Sequence, residues 1–229
     1  MRKIFITEEQ LKALEEMAYP VSFNMEEFKS LPSFAARLKY CEERLPKLGA
    51  GTSRRVYKVD NEKCIKLAKN KKGIAQNLEE ISLGNDIYAG DCFAKVYDYD
   101  ENGLFVEMEL ARKAKESDFE RLTGLPFDCY CDLIIRVALT YLPNNSYTKN
   151  WVNKEMDDTY NYVMENIDDY EFISDVVDYM QNYLLKTYGD LQRLSSYGVV
   201  TRNGKEQMVI IDYGLSENVF NSYYKKSRE

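Results

Sequence analysis

The chain has 229 residues, 45% of them apolar, carries a formal net charge of −7 and contains no histidine. That length suits one domain with two lobes, or two small domains, and the acidic balance excludes the basic footprint of a general nucleic-acid binder. Without imidazole there is no Ser-His-Asp triad, no histidine base and no histidine metal site, so proton transfer falls to carboxylates, lysine or tyrosine. The five cysteines, Cys41, Cys64, Cys92, Cys129 and Cys131, are odd in number and only the last two lie close together. That suits free thiols in a reducing cytosol, hence a cytoplasmic location. The opening Met1–Ile6 holds too short an apolar run for a secretory signal, and no stretch reaches membrane-spanning length. Neither a nucleic acid nor a membrane is expected as a partner.

From the amino end, residues 7–18 are helical in pattern, with Leu11, Leu14 and Met17 on one face and Thr7 and Gln10 as a capping box. A second helix is expected around 32–45, carrying Phe34, Leu38 and Cys41. Residues 1–46 together form a helical extension that buttresses the lobe after it. At Leu48 the pattern changes: a glycine-containing turn runs into an alternating strand that ends near Val59, and Cys64–Leu67 is the next strand. A helix is expected over 73–83. Two more strands are expected near 93–99 and 103–111, joined by a turn at Asp100–Gly103. Residues 47–115 therefore read as a lobe of about four antiparallel strands and one helix.

Over 116–188 the periodicity is helical. Phe127–Leu142 is an apolar helix, Asn144-Asn145-Ser146 a break, and Lys154–Tyr170 an acidic, tyrosine-rich segment. Glu171–Tyr188 carries Phe172, Val176, Tyr179, Tyr183 and Leu184 on one face. After Asp190 a hairpin is expected, with Val199-Val200 and Met208–Ile211 as strands and Asn203-Gly204 supplying residues that accept positive φ. The fold class is α+β, with 116–229 as a mainly helical second lobe.

The run Met208–Ile211 leads into Asp212-Tyr213-Gly214. Alone this is a common turn tripeptide. Its weight comes from the order upstream: a glycine loop, a strand lysine, a helix glutamate, a hinge-like strand and a second aspartate. In that order the sequence, over about residues 47–216, resembles a compact and divergent member of the protein-kinase-like fold superfamily, similar to small kinase-like proteins of bacteria and their viruses.

The resemblance implies a bilobal protein with nucleotide, ATP with Mg²⁺, between the lobes. Gly49, Gly51, Ser53 and Val56 would form the phosphate-covering loop, with Arg54 standing where the family has a third glycine. Lys66 would hold the α- and β-phosphates and Glu80, or Glu79, would position it. Met108 would guard the back of the pocket, and the backbone of Glu109 and Ala111 would bond the base. Asp190 would be the catalytic-loop aspartate and Asp212 the metal ligand. The family's second metal ligand, an asparagine five residues after the catalytic aspartate, is replaced by Ser195, followed by Ser196. Residues 215–229 leave no room for a long activation segment and peptide-docking helices. The functional expectation is phosphoryl transfer to an unidentified acceptor. The alternatives are a pseudokinase that engages a protein partner, or nucleotidyl transfer to a protein substrate.

Overall fold

The structure is a computed structural model that describes residues 22–86, 91–141, 154–182 and 188–224, together with Thr7 and Gln10. Of the first predicted helix only Thr7 and Gln10 fall among these. The Thr7 amide donates to Gln10 Oε1 at 2.9 Å and the Gln10 amide to Thr7 Oγ1 at 3.2 Å, the reciprocal bonds of a capping box. Leu11, Leu14, Met17, the break at 144–146, Tyr183 and Leu184 lie outside the described residues.

Two short helices precede the sheet: α1 (Met25–Ser30) and α2 (Phe34–Arg44). Asn24 and Ser33 cap them by accepting from the amides of Glu27 and Ala36. α1 has too few residues for a periodic signal, and the sequence pattern does not announce it. Next in the chain comes a five-stranded antiparallel sheet in the order β1 (Lys47–Ala50), β2 (Arg54–Lys58), β3 (Lys63–Ala68), β5 (Phe105–Glu109), β4 (Val96–Tyr99). The expected four strands become five because residues 47–50 fold back as an edge strand. Lys47 lies opposite Tyr57 and Ala50 opposite Arg55, so the glycine turn closes a hairpin. α3 (Lys71–Gly84) packs under this sheet, capped by Asn70, which accepts from the amides of Lys72 and Gly73.

The two faces of the sheet are sorted by the two-residue period of the strands. Ile65 and Leu67 join Phe28, Tyr40, Cys41, Leu45, Tyr57 and Phe105 in a core beneath α1 and α2. The Phe28 and Phe105 rings meet edge-on at 5.0 Å, so α1 and α2 pack against this face of the sheet. Cys64, Val106 and Met108 belong to the other, larger core, shared with α3 and the helical lobe. Lys66 lies between Val56 and Val106 in the sheet register.

The second lobe contains α4 (Glu116–Thr123), α5 (Phe127–Tyr141), α6 (Lys154–Glu165), α7 (Glu171–Asn182) and the short α8 (Tyr188–Leu191). It also carries a three-stranded sheet in the order β6 (Arg112–Lys113), β7 (Tyr197–Arg202), β8 (Lys205–Ile210), and ends in α9 (Glu217–Tyr223). The acidic, tyrosine-rich segment is α6 plus a 3₁₀ turn at Ile167–Asp169. Asn203 and Gly204 turn the β7–β8 hairpin with φ of 52° and 76°, the positive values that asparagine and glycine tolerate. The lobes are stitched where the Ala94 amide donates to the Ile210 carbonyl at 3.0 Å and the Ile210 amide to the Cys92 carbonyl at 2.7 Å.

Buried tyrosines fix the turn that bears Asp190. The Tyr197 hydroxyl donates to the Leu191 carbonyl at 2.7 Å and lies 2.7 Å from the Tyr130 hydroxyl. Both rings are fully buried among Phe119 and Phe127. Tyr197→Phe leaves the packing and strands the Leu191 carbonyl, so urea denaturation should show a loss of about 1–3 kcal/mol. A change below about 0.5 kcal/mol, the size of an ordinary surface substitution, would mean that this hydroxyl does not hold the turn.

Candidate functional site

Because β3 alternates, Lys66 points to the cleft face of a sheet whose other side is apolar. Its Nζ reaches Glu80 Oε1 and Oε2 of α3 at 2.8 and 2.9 Å and the Ile211 carbonyl at 2.6 Å. Lys66 is 7% exposed and Glu80 not at all. Of the two glutamates left open by the sequence, Glu80 is the partner. Glu79, one residue round the helix, instead accepts from the Ser216 hydroxyl at 2.8 Å. Asn77, a turn earlier in α3, donates to the carbonyls of Gly103 and Lys66 at 2.9 and 3.4 Å, which fixes the helix against the sheet.

Arg54 completes this group, and its role was not legible as anything but a missing glycine. It opens β2, is 7% exposed, and sends Nη1 to Glu80 Oε2 at 2.8 Å and Nη2 to Asp212 Oδ1 at 2.5 Å. Nη1 also lies 3.4 Å from Asn77 Oδ1. Burial pulls its proton affinity down, but the Glu80 and Asp212 carboxylates more than reverse that, and the net shift is upward.

Asp212 comes directly after Ile211 at the end of β8. Its side chain keeps 51% of its surface open, yet the walls around it remove enough water to push its pKa up. Arg54 and Lys66 outweigh that push and hold the carboxyl below its usual range. Tyr213 anchors the tripeptide: its buried hydroxyl donates to the Ala94 carbonyl at 3.1 Å and its ring stacks edge-on with Phe93 at 4.7 Å. Gly214 passes so close to α3 that a Cβ there would sit 2.4 Å from the Gln76 carbonyl oxygen. Only glycine lets the chain run against the helix that carries Glu80.

Asp190 is 5% exposed in α8, with Arg193 Nη1 at 3.6 Å. Burial and repulsion from Asp212 raise its pKa to about 7, against the pull of Arg193 and Arg54. Two aspartates, one repelled by the charge of the other, are thus driven in opposite directions.

The loop residues divide. The Gly51 and Thr52 carbonyls accept from the side chains of Lys69 and Asn70 at 3.0 and 3.2 Å, and the Ser53 carbonyl from the Lys69 amide at 2.7 Å. The Ser53 hydroxyl donates inward to Gln76 Oε1 at 2.6 Å, so it is committed to α3. A Cβ on Gly49 or Gly51 would meet nothing within 4 Å, which leaves the outer face of the hairpin open. Val56 is half-buried against the larger core and Met108 is fully buried within it. The Glu109 amide donates to the Lys95 carbonyl at 2.8 Å and the Leu110 amide to the Glu62 carbonyl at 2.7 Å. The Glu109 carboxylate is gripped by Arg202, at 3.1 Å from Nε and 2.6 Å from Nη2. Arg202 thereby ties the end of β5 to β7, a contact with no local sequence signal.

The two residues expected to hold Mg²⁺, Asp212 and Ser195, lie in different surroundings. Asp212 Oδ1 is taken by Arg54. Ser195 is exposed on the 3₁₀ turn Leu194–Ser196, and the next residue, Ser196, is buried with its carbonyl accepting from the Ile211 amide at 2.7 Å. A serine hydroxyl is in any case a weak ligand for this hard cation. Among the described residues no group of three or more cysteine, aspartate or glutamate side chains could hold a metal ion. No helix among them is long and apolar enough to cross a membrane.

Strand lysine, helix glutamate and the aspartate of the Asp-Tyr-Gly turn are thus joined in one set of contacts. No protein-family model matches the chain, and no curated protein does. Several solved structures are similar to it. One is the streptomycin–ATP ternary complex of APH(2″)-IIa, at 13% identity over 86% of this chain and 72% of that one, TM-score 0.33. A second is ADP-bound aminoglycoside phosphotransferase APH(2″)-Ib, at 14% over 76% and 66%, TM-score 0.32. A third is the GDP complex of wild-type aminoglycoside 2′-phosphotransferase-IIIa, at 13% over 92% and 74%, TM-score 0.31.

Removing one partner of a buried ion pair leaves the others uncompensated. Glu80→Gln should cost about 3–5 kcal/mol in chemical denaturation, whereas Glu79→Gln, which disturbs one hydroxyl contact, should stay within about 1 kcal/mol. Equal costs would mean that the pairing with Lys66 and Arg54 does not hold α3.

Asp190 gives a second test. Its folded pKa is raised, so the folded chain binds a proton that the unfolded chain releases above about pH 4. The stability it contributes is fully present below that pH and is lost as pH rises through about 7. The difference in unfolding free energy between wild type and Asp190→Asn should move steadily against the wild type from about pH 4 to 7. A flat difference, or one favouring the wild type as pH rises, contradicts the assignment.

Proposed function

We propose that the chain binds ATP in the cleft between its lobes and transfers the terminal phosphoryl group to an acceptor hydroxyl. The observation that supports this most strongly is the buried Lys66–Glu80 pair at 2.8 and 2.9 Å, joined to Asp212 through one guanidinium. A buried lysine aimed into a cleft and held by a helix carboxylate suits capture of phosphate oxygens. The three donors of Lys66 are all engaged, and its bond to the Ile211 carbonyl is the one that can be exchanged for a phosphate. The open face of the β1–β2 hairpin, with Gly49, Gly51 and Val56, covers the nucleotide. Met108 backs the base, and with the Glu109 and Leu110 amides already committed, the Glu109 carbonyl and the Ala111 amide are the hinge groups offered to it.

Asp190 is the base. As the acceptor oxygen attacks the γ-phosphorus, its proton passes to the Asp190 carboxylate. The bond from phosphorus to the bridging oxygen breaks and ADP leaves with the electron pair. A pKa of about 7 keeps both forms of Asp190 populated near neutrality, where a general base works best. Positioning and fixed charge do the rest.

Arg54 favours a second reading. A cation already bonded to Asp212 suits a pseudokinase that keeps the fold, with or without nucleotide, and acts by engaging a protein partner. Thermal unfolding with ATP separates the readings. ATP at 100 times its dissociation constant should add about 2.7 kcal/mol to stability, and Lys66→Met should abolish most of that gain. Asp190→Ala should keep ATP affinity and lower transfer of labelled phosphate to a cell extract by about a hundredfold or more, because a base acts in the transition state. An unchanged melting temperature with ATP rules out nucleotide binding. Binding without transfer by either protein supports the pseudokinase.

A further inference from the structure

We propose that the Arg54 guanidinium is the protein's own cation at the position where a divalent metal would join Asp212 to the nucleotide phosphates, so that nucleotide is held without a metal ion. This rests on nucleotide binding in the cleft and specifies what neutralises the phosphates there.

The first support is geometric. A metal in such a site does two things: it fixes the strand-end carboxylate and it meets phosphate oxygens. Arg54 already does the first, with Nη2 at 2.5 Å from Asp212 Oδ1. A guanidinium carries five N–H donors in a rigid plane. Glu80, Asn77 and Asp212 engage Nη1 and one hydrogen of Nη2, so among the described residues the second Nη2 hydrogen and Nε are the donors left for an anion. That fork matches phosphate oxygens in two-point geometry, which a lysine in the same place would not.

The second support is electrostatic. Lys66 and Arg54 face Glu80 and Asp212, two positive and two negative groups within one set of contacts. Asp190 is held near half-protonation by its surroundings. A divalent ion beside Asp212 would lie against a guanidinium that is 7% exposed and cannot retreat without breaking its bond to the fully buried Glu80. The cost of leaving that carboxylate short of a partner keeps Arg54 in place. The third support is the rest of the donor set: the neutral and exposed Ser195 offers no charge with which to retain a metal.

Calorimetric titration of the full chain with ATP, once in excess EDTA and once in millimolar Mg²⁺, is the test. The wild type should bind with dissociation constants that agree within about threefold, well under the tenfold that corresponds to 1.4 kcal/mol. Arg54→Gly restores the family's third glycine and frees Asp212. Its affinity in EDTA should fall by about tenfold or more and recover in Mg²⁺. Wild-type binding that needs Mg²⁺ by tenfold or more overturns the inference and leaves nucleotide binding standing. Wild-type heat in neither buffer overturns both. If Arg54→Gly does not fold, as judged by circular dichroism, the wild-type pair of titrations still decides.

Discussion

Glu80 has no contact with solvent, and a carboxylate so placed must be neutralised where it stands. Much of the architecture stems from that requirement. Lys66 is drawn from β3 and Arg54 from β2, and each cation in turn needs further acceptors. Lys66 finds the Ile211 carbonyl and Arg54 finds Asp212. One buried charge thus links the glycine hairpin, the central strand, α3 and the Asp-Tyr-Gly turn. Backbone bonds from Ala94 and Ile210 and the Arg202–Glu109 pair close the same seam from the side. With a network of this kind, changes at the hairpin are felt at the turn.

Two aspartates are sorted by environment alone. Asp212 sits against two cations and stays ionised; Asp190, buried and repelled by Asp212, is pushed toward neutrality against the weaker pull of Arg193, at 3.6 Å, and Arg54. A pair of carboxyl groups driven apart in this way is suited to a division of labour, one fixing charge and the other moving a proton. The tyrosine hydroxyl chain through Tyr197 matters here because it sets where Asp190 stands without entering the chemistry.

The parts of the site that are read from order were legible. Lys66 falls on a strand and Asp212 directly after one, Asp190 lies in the separate short helix Tyr188–Leu191 rather than at the end of the long helix, and Glu80 is separated from Glu79 by helix phase, which sequence fixes only to within a residue. The fold class was legible too, since the switch at Leu48 from helical to two-residue periodicity marks the sheet, and the return to helical periodicity marks the second lobe. What escaped was long-range pairing. Arg54 read as an absent glycine because a sequence shows which residue is missing from a pattern and not what the substitute reaches. Ser53 read as a phosphate contact, although its hydroxyl turns inward to Gln76. Arg202 meets Glu109 across 93 positions, a contact no local pattern encodes. The edge strand at 47–50 was hidden because Lys-Leu-Gly-Ala, with Gly51 after it, has the composition of a turn.

If a nucleotide sits along the charged seam between hairpin, hinge and Asp-Tyr-Gly turn, it should protect all three segments at once. Hydrogen exchange of the full chain, with and without a non-hydrolysable ATP analogue, addresses this segment by segment. Slowed exchange is expected at 49–56, 107–112 and 210–214 together, with little change in α4 and α5. Protection confined to the helical lobe, or the same exchange with and without the analogue, would contradict nucleotide binding at the seam.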